Sequence, residues 1–167
     1  MQKQLADLPD AGLSDRLAAT WLTTQLDAAA RDALAKIGRV IAVPAGTVLM
    51  RETEPNDMMA IVLDGRVSLR MRVPERGQVS IVTIEPGDVV GWSALVPPYR
   101  ATSTAVVLVD SELAQFDGPR LREEIKADPT LAAQLYPVLL KAVARRLEGT
   151  RMQLLDLFSS QSDGERW

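Results

Sequence analysis

The sequence contains neither histidine nor cysteine in its 167 residues. Without histidine there is no imidazole for acid/base work and no Ser-His-Asp or Cys-His arrangement. Without cysteine there are no disulfides, thiolate nucleophiles or iron–sulfur clusters, and the two absences together remove the usual zinc, copper and non-haem iron ligand sets. Carboxylate- or lysine-based catalysis, oxygen-ligated magnesium or calcium, and plain ligand binding survive. Long apolar runs are missing too. The longest, Met58 to Leu63, has six residues, against about 20 for a membrane-spanning helix. Met1 to Asp10 mixes charge and polarity with no signal-peptide core, so a cytoplasmic location is expected. Nor is there an excess of positive charge: 19 Lys and Arg against 22 Asp and Glu leave a net charge of −3. No global field therefore draws the chain to nucleic acid or to an anionic membrane.

The residues present, 47% of them apolar, suffice for one globular domain with a real core. The hydrophobic period changes twice along the chain. Between Ser14 and Ile37, Leu17, Trp21, Leu22, Leu26, Ala30, Leu34 and Ile37 recur at three- and four-residue steps, predicting one or two short helices with Ser14 and Thr24 as caps and Gly38 as a stop. From Arg39 to Phe116 the period is two. Short β-rich runs fall at Val40–Val43, Val48–Met50, Met58–Leu63, Val67–Val73, Val79–Ile84, Asp88–Val90, Thr102–Val109 and Glu112–Phe116, and eight such strands predict a barrel or jelly roll. Asp64-Gly65 reads as a two-residue hairpin turn. Within Val67–Val73 the alternation predicts Val67, Leu69, Met71 and Val73 inward, and Ser68, Arg70 and Arg72 toward water.

From Gly118 the helical period returns. Leu121 and Ile125 mark a short helix, Asp128-Pro129 is a cap followed by proline at the first helical position, and a long helix runs from there to Phe158, kinked or divided at Pro137. The predicted organisation is a single domain over 1–158, with N-terminal helices 14–37, a β-roll 39–116, C-terminal helices 118–158, and a loose tail 159–167. Nine residues cannot form two packed helices, so direct DNA binding by this chain is not expected.

The β zone is interrupted at Glu85 to Val107. There Gly91, Ser93 and Ala94 permit a short helical turn, and Pro97-Pro98 closes it just before Arg100. Small residues, exposed backbone amides and one arginine suit a compact anion such as phosphate. This stretch resembles the phosphate-binding cassette of the cyclic-nucleotide-binding domain family, in its catabolite-activator (Crp/Fnr) type. The family cassette reads roughly Gly-Glu-Leu-Ala-Leu, a loop, then Pro-Arg-x-Ala or Pro-Arg-x-Ser; Gly91-Trp92-Ser93-Ala94-Leu95 and Arg100-Ala101-Thr102 are similar to it. Gly46, Gly65 and Gly87 match further family glycines.

The resemblance implies an eight-stranded jelly-roll barrel with N-terminal helices and a long C-terminal helix. It also implies a regulatory rather than an enzymatic role, with no cofactor, and cAMP, cGMP or a related phosphate-bearing ligand as the bound molecule. Arg100 would pair with the phosphate, and the Ala101 amide and the Thr102 or Ser103 hydroxyl would bond its oxygens. Ala144 to Arg151 is similar to the helix stretch whose threonine and serine meet the purine across a homodimer, with Thr150 matching the threonine and Arg151 replacing the serine.

Two positions depart from the pattern. Trp92 stands where the family has the glutamate that takes the ribose 2′-hydroxyl, and it offers an indole donor but no acceptor. Thr53 stands where the family has a turn glycine. Bland roles remain beside the sharp ones: Arg100 paired with a surface carboxylate, Trp92 as a packing aromatic, Thr150 as a small residue on a helix seam, and Glu52, Glu54 and Asp57 as turn residues rather than a metal site. The alternative function is a non-binding module that dimerises or acts as a scaffold through the C-terminal helix.

Overall fold

A computed structural model of the chain describes residues 6–7 and 12–162. Helix α1 (Leu13–Ala18), a 3-10 turn at Thr23–Gln25 and α2 (Ala28–Ile37) come first. Asp27 caps α2, its carboxylate accepting from the Ala30 amide at 2.8 Å. The two expected caps act elsewhere: the Ser14 hydroxyl donates to Asp32, and that of Thr24 to the Trp21 carbonyl at 3.2 Å. The apolar stripe Leu17, Leu22, Leu26 and Leu34 packs with Phe116, Leu121, Leu135 and Val138 into one core beneath the helices.

Among the described residues nine strands follow the predicted pattern, with one added ahead of α1: β1 (Ala6–Asp7), β2 (Gly38–Val43), β3 (Val48–Met50), β4 (Met58–Asp64), β5 (Val67–Val73), β6 (Gly77–Ile84), β7 (Val89–Val90), β8 (Thr104–Val107) and β9 (Ser111–Asp117). They form two antiparallel sheets, ordered β1-β2-β9-β4-β7 and β3-β8-β5-β6. Strand β4 has a core on each face. Met59 and Ile61 enter the helix-side core, while Ala60 and Val62 enter a second core between the sheets with Val67, Leu69 and Leu113. This is the jelly-roll barrel expected, with flanking helices.

Asp64-Gly65 is not a hairpin turn. Strands β4 and β5 lie in different sheets, so the segment carries the chain from one to the other. Only Gly65 of the pair has positive φ (88°), and a Cβ there would lie 2.0 Å from Ser111 Oγ. The true hairpin is β5–β6, turning at Pro74–Arg76 with Glu75 (φ 66°) and Gly77 (φ 73°) in the left-handed region. Its inward and outward faces also differ from simple alternation. Ser68 is buried and bonds Ser80 at 2.9 Å, whereas Met71 is 40% exposed. Ser68 lies between two neighbours, but the pairing of β5 with β8 stops at Arg70, so Met71 projects past the covered part of the sheet.

Asp117 caps α3 (Gly118–Ala127), and Asp128 caps α4 (Pro129–Ser162) through the Thr130 and Leu131 amides at 2.9 and 3.1 Å. Helix α4 runs unbroken through Pro137 and four residues into the segment read as a tail, whose remainder, 163–167, lies outside the described residues. Division at Pro137 does not occur, because the ring sits at an exposed position in the third turn, with Leu135 and Val138 anchored in the core on either side. No helix among the described residues is long and apolar enough to cross a membrane.

Two stability outcomes follow. Gly65→Ala combines a clash at Ser111 with a strained φ and is expected to lose more than about 2 kcal/mol in urea unfolding. Asp27→Ala is expected to lower the melting temperature at neutral pH. The Ala30 amide, then Gln134, hold the Asp27 carboxyl below its ordinary value. The native state therefore favours the ionised form, and the difference between variant and wild type should close as pH falls through that depressed pKa.

Candidate functional site

The cassette begins where β7 ends. Gly91 turns the chain with φ 77°, and a Cβ at this position would lie 2.2 Å from the Met58 carbonyl oxygen, so only glycine fits. A 3-10 turn, Trp92–Leu95, follows, with Ser93, Ala94 and Leu95 buried. Its anchor is Asn56, itself 3% exposed. The Asn56 amide nitrogen donates to the Gly91 carbonyl and to Ser93 Oγ, both at 3.1 Å, and its oxygen accepts from the Met58 amide at 3.2 Å. A fully bonded buried amide of this kind fixes one arrangement, since any other would leave it unsatisfied.

The far end of the cassette is joined to the same 53–58 loop by backbone bonds. Thr53 donates to Ala101 (2.8 Å), Ala101 to Glu54 (2.9 Å) and Asn56 to Tyr99 (2.8 Å). The Ala101 amide, expected to meet the phosphate, donates here to Glu54, because residues 53–56 lie against 99–101 in a short antiparallel bridge. Arg100 is exposed, and Nη1 donates to the Thr53 carbonyl at 2.7 Å. Thr53 takes φ 67°, a left-handed conformation costly for a β-branched residue, which explains glycine at this turn in similar sequences. Thr102 is exposed, and Ser103 is buried.

Three residues that sequence reasoning missed tie the cassette to its surroundings. Asn56 sat in a polar run that read as an ordinary turn. Arg122 of α3 donates to the Ala94 carbonyl, stacks over the Tyr99 ring at 4.2 Å and faces Asp57 at 4.0 Å. Arg146 of α4 donates to the Val89 carbonyl at 2.6 Å and lies 3.8 Å from Asp88, just before Gly91. Burial lowers the Arg146 pKa from its ordinary value, and Asp88 opposes that shift. No sequence signal distinguishes Arg122 and Arg146 from their solvated neighbours, since helical period alone does not show which long side chain reaches a carbonyl.

The structure thus brings residues 91–95 and 100–103 together around one loop. Trp92 is half-buried and, with Leu95 and Val96, faces Tyr136, Pro137, Leu139, Leu140 and Val143 of α4 across an apolar groove of about 510 Å³. On α4 the Thr150 hydroxyl is bonded within its own helix, to the Arg146 and Leu147 carbonyls at 3.1 and 2.9 Å, and Arg151 is exposed. Among the described residues no three acidic side chains cluster as metal ligands would.

Comparison with known proteins bears on the fold and the family. A CRP-like cAMP-activated global transcriptional regulator from Mycobacterium tuberculosis is 29% identical over 132 residues, 79% of this chain and 57% of that protein, so the chain spans little more than half its length. The N-terminal domain of a transcriptional regulator from Streptomyces coelicolor superposes with a TM-score of 0.63 at 26% identity, covering 84% of this chain and 95% of that one. A cyclic nucleotide-binding domain from Methylobacillus flagellatus has the same fold, with a TM-score of 0.78 at 17% identity over 91% of this chain and 88% of its own. The description of the cyclic nucleotide-binding domain matches residues 40–128, from β2 through the cassette to the end of α3, and the chain belongs to that family.

Proposed function

We propose that the chain is a non-enzymatic sensor domain that binds cAMP or a related phosphate-bearing ligand at the cassette and passes the event to α4. The observation that carries this reading is Arg100. It stands exposed where the cassette opens, held by one bond to Thr53 out of five available donors, with exposed Thr102 two residues along the chain. A phosphate meeting Arg100 would compete with the Thr53 carbonyl for the guanidinium. It would thereby pull on the loop whose Asn56 holds Gly91 and Ser93, and the Arg146 bond to Val89 connects that segment to α4. Ligand binding shifts such an arrangement only by its difference in affinity for the two states.

In this reading the ligand set is narrower than the resemblance implies. The phosphate is taken by the Arg100 guanidinium and the Thr102 hydroxyl, without the Ala101 amide. Thr150 and Arg151 enter only if the purine reaches the outer turns of α4. Residues 1–158 form the domain in this reading. It works as a homodimer through α4, where Tyr136, Leu140, Val143, Leu147, Thr150, Leu154 and Leu157 recur at alternating four- and three-residue steps. The second reading, a non-binding dimerisation module, draws on the same seam.

Calorimetry with cAMP and cGMP separates the two. Heat of binding that Arg100→Ala weakens more than about tenfold supports the sensor, as expected for loss of a charged hydrogen bond; no heat at millimolar nucleotide leaves the dimerisation module. A second outcome concerns the sugar. With Trp92 in place of a carboxylate acceptor, cAMP and its 2′-deoxy analogue are expected to bind within about threefold of each other, where a carboxylate would separate them by roughly ten- to a hundredfold.

A further inference from the structure

A second concave site lies away from the cassette, where two helix–strand junctions meet. Helix α2 ends at Ile37 and β2 begins at Gly38; strand β9 ends at Asp117 and α3 begins at Gly118. Because Gly38 pairs with Phe116 and Arg39 with Gln115, both junctions come to the same end of the first sheet, beside Met58 at the start of β4, which pairs with Asp117. The pocket between them has a volume of about 490 Å³, within the range of about 300–1,000 Å³ typical of small-molecule sites, and no residue of 91–103 lines it.

Its walls carry three basic side chains, Lys36, Arg39 and Arg120, against two acidic ones, Asp57 and Asp117, so the balance is positive. The acids are engaged elsewhere. Asp117 accepts from the Arg120 amide at 3.0 Å as the α3 cap, and Asp57 faces Arg122 at 4.0 Å. Arg39 Nε donates to Gln115 Oε1 at 3.0 Å, which leaves the Gln115 amide nitrogen as a further donor. The Lys36 ammonium and the Arg120 guanidinium are exposed, and among the described residues neither has a hydrogen bond or an ion pair. Arg120 is also placed against the local field. It occupies the first turn of α3, where the helix dipole disfavours a cation and a glutamate would be favoured, so helix stability does not account for it. The backbone amides of Gly118 and Arg120 already donate to Asp57 and Asp117, and the charge offered to a ligand comes from the side chains.

We infer that Lys36 and Arg120 form a second ligand site, for a small polyanion whose charges are carried by phosphate or carboxylate groups. One cation stands on each junction, and Gln115 Nε2 adds a neutral donor between them. A monoanion satisfies one cation and leaves the other unpaired, whereas a polyanion makes charge-assisted bonds to both. A cyclic nucleotide, with a single phosphate charge, is therefore not the molecule this pocket selects. The inference stands apart from the reading of the cassette. The two sites share only the 53–58 loop, where Asp57 lines the pocket and its neighbour Asn56 holds Gly91 and Ser93.

Calorimetric titration of the full chain with citrate and with pyrophosphate, at constant ionic strength set by sodium chloride, tests this. At least one of the two is expected to bind with a Kd below about 1 mM, and which one binds identifies carboxylate or phosphate as the charged group. Lys36→Ala and Arg120→Glu should each weaken that binding about tenfold or more. Arg120→Glu should at the same time keep or raise the melting temperature, because a glutamate suits the first turn of α3, which separates loss of a ligand contact from loss of the fold. Citrate and pyrophosphate that bind no more tightly than acetate overturn the inference, as does wild-type affinity in either variant. If binding survives in both variants and is lost in Arg100→Ala, the polyanion sits at the cassette, and the site at Lys36 and Arg120 fails while the cassette reading stands.

Discussion

The buried amide of Asn56 holds the cassette of this molecule in place. Its nitrogen bonds two cassette groups, its oxygen bonds the start of β4, and the same loop pairs with the cassette's far end through three backbone bonds. Removing the amide would leave the buried Ser93 hydroxyl without its Asn56 partner and the Gly91 carbonyl with the Ala94 amide alone, and it is this penalty, more than the net worth of each bond, that favours the one arrangement. Gly91 is the complementary constraint, because only a residue without Cβ lets the cassette pass this close to the Met58 carbonyl.

Around that anchor the charged contacts serve as ties between layers. Arg122 joins α3 to the cassette at Ala94, and Arg146 joins α4 to the β7 edge beside Asp88. Each uses a guanidinium to satisfy a carbonyl that a strand or a helical turn leaves open, so the helices are held where the cassette begins and where its turn ends. The Arg146 guanidinium is mostly buried, and its Nε has no hydrogen-bond partner among the described residues. It is thus a tie whose cost is offset only by the bond to Val89 and the charge of Asp88.

Most of the architecture was legible because it follows from period. The strand runs from Val40 to Phe116 and the cap at Asp128 are local facts, visible in alternation and in short-range hydrogen-bond chemistry. Apart from the caps expected at Ser14 and Thr24, the failures were non-local. Asp64-Gly65 has a hairpin's composition, but the two strands it joins belong to different sheets. Ser68 and Met71 exchange their expected environments because neighbouring strands end at different heights. The site was legible in outline, as a cassette with one arginine. The commitment of the Ala101 amide to Glu54 was not, since the two residues lie far apart in sequence.

The sequence by itself determined the fold class, the excluded chemistries and the place of the cassette, because each depends on which groups are present and on their short-range spacing. Tertiary structure alone decided which donors remain available at Arg100, that Asn56, Arg122 and Arg146 hold the site, and that Trp92 faces α4. Those are outcomes of competition between groups distant in the chain for the same few hydrogen bonds and the same apolar surface, and no local pattern encodes which of them wins.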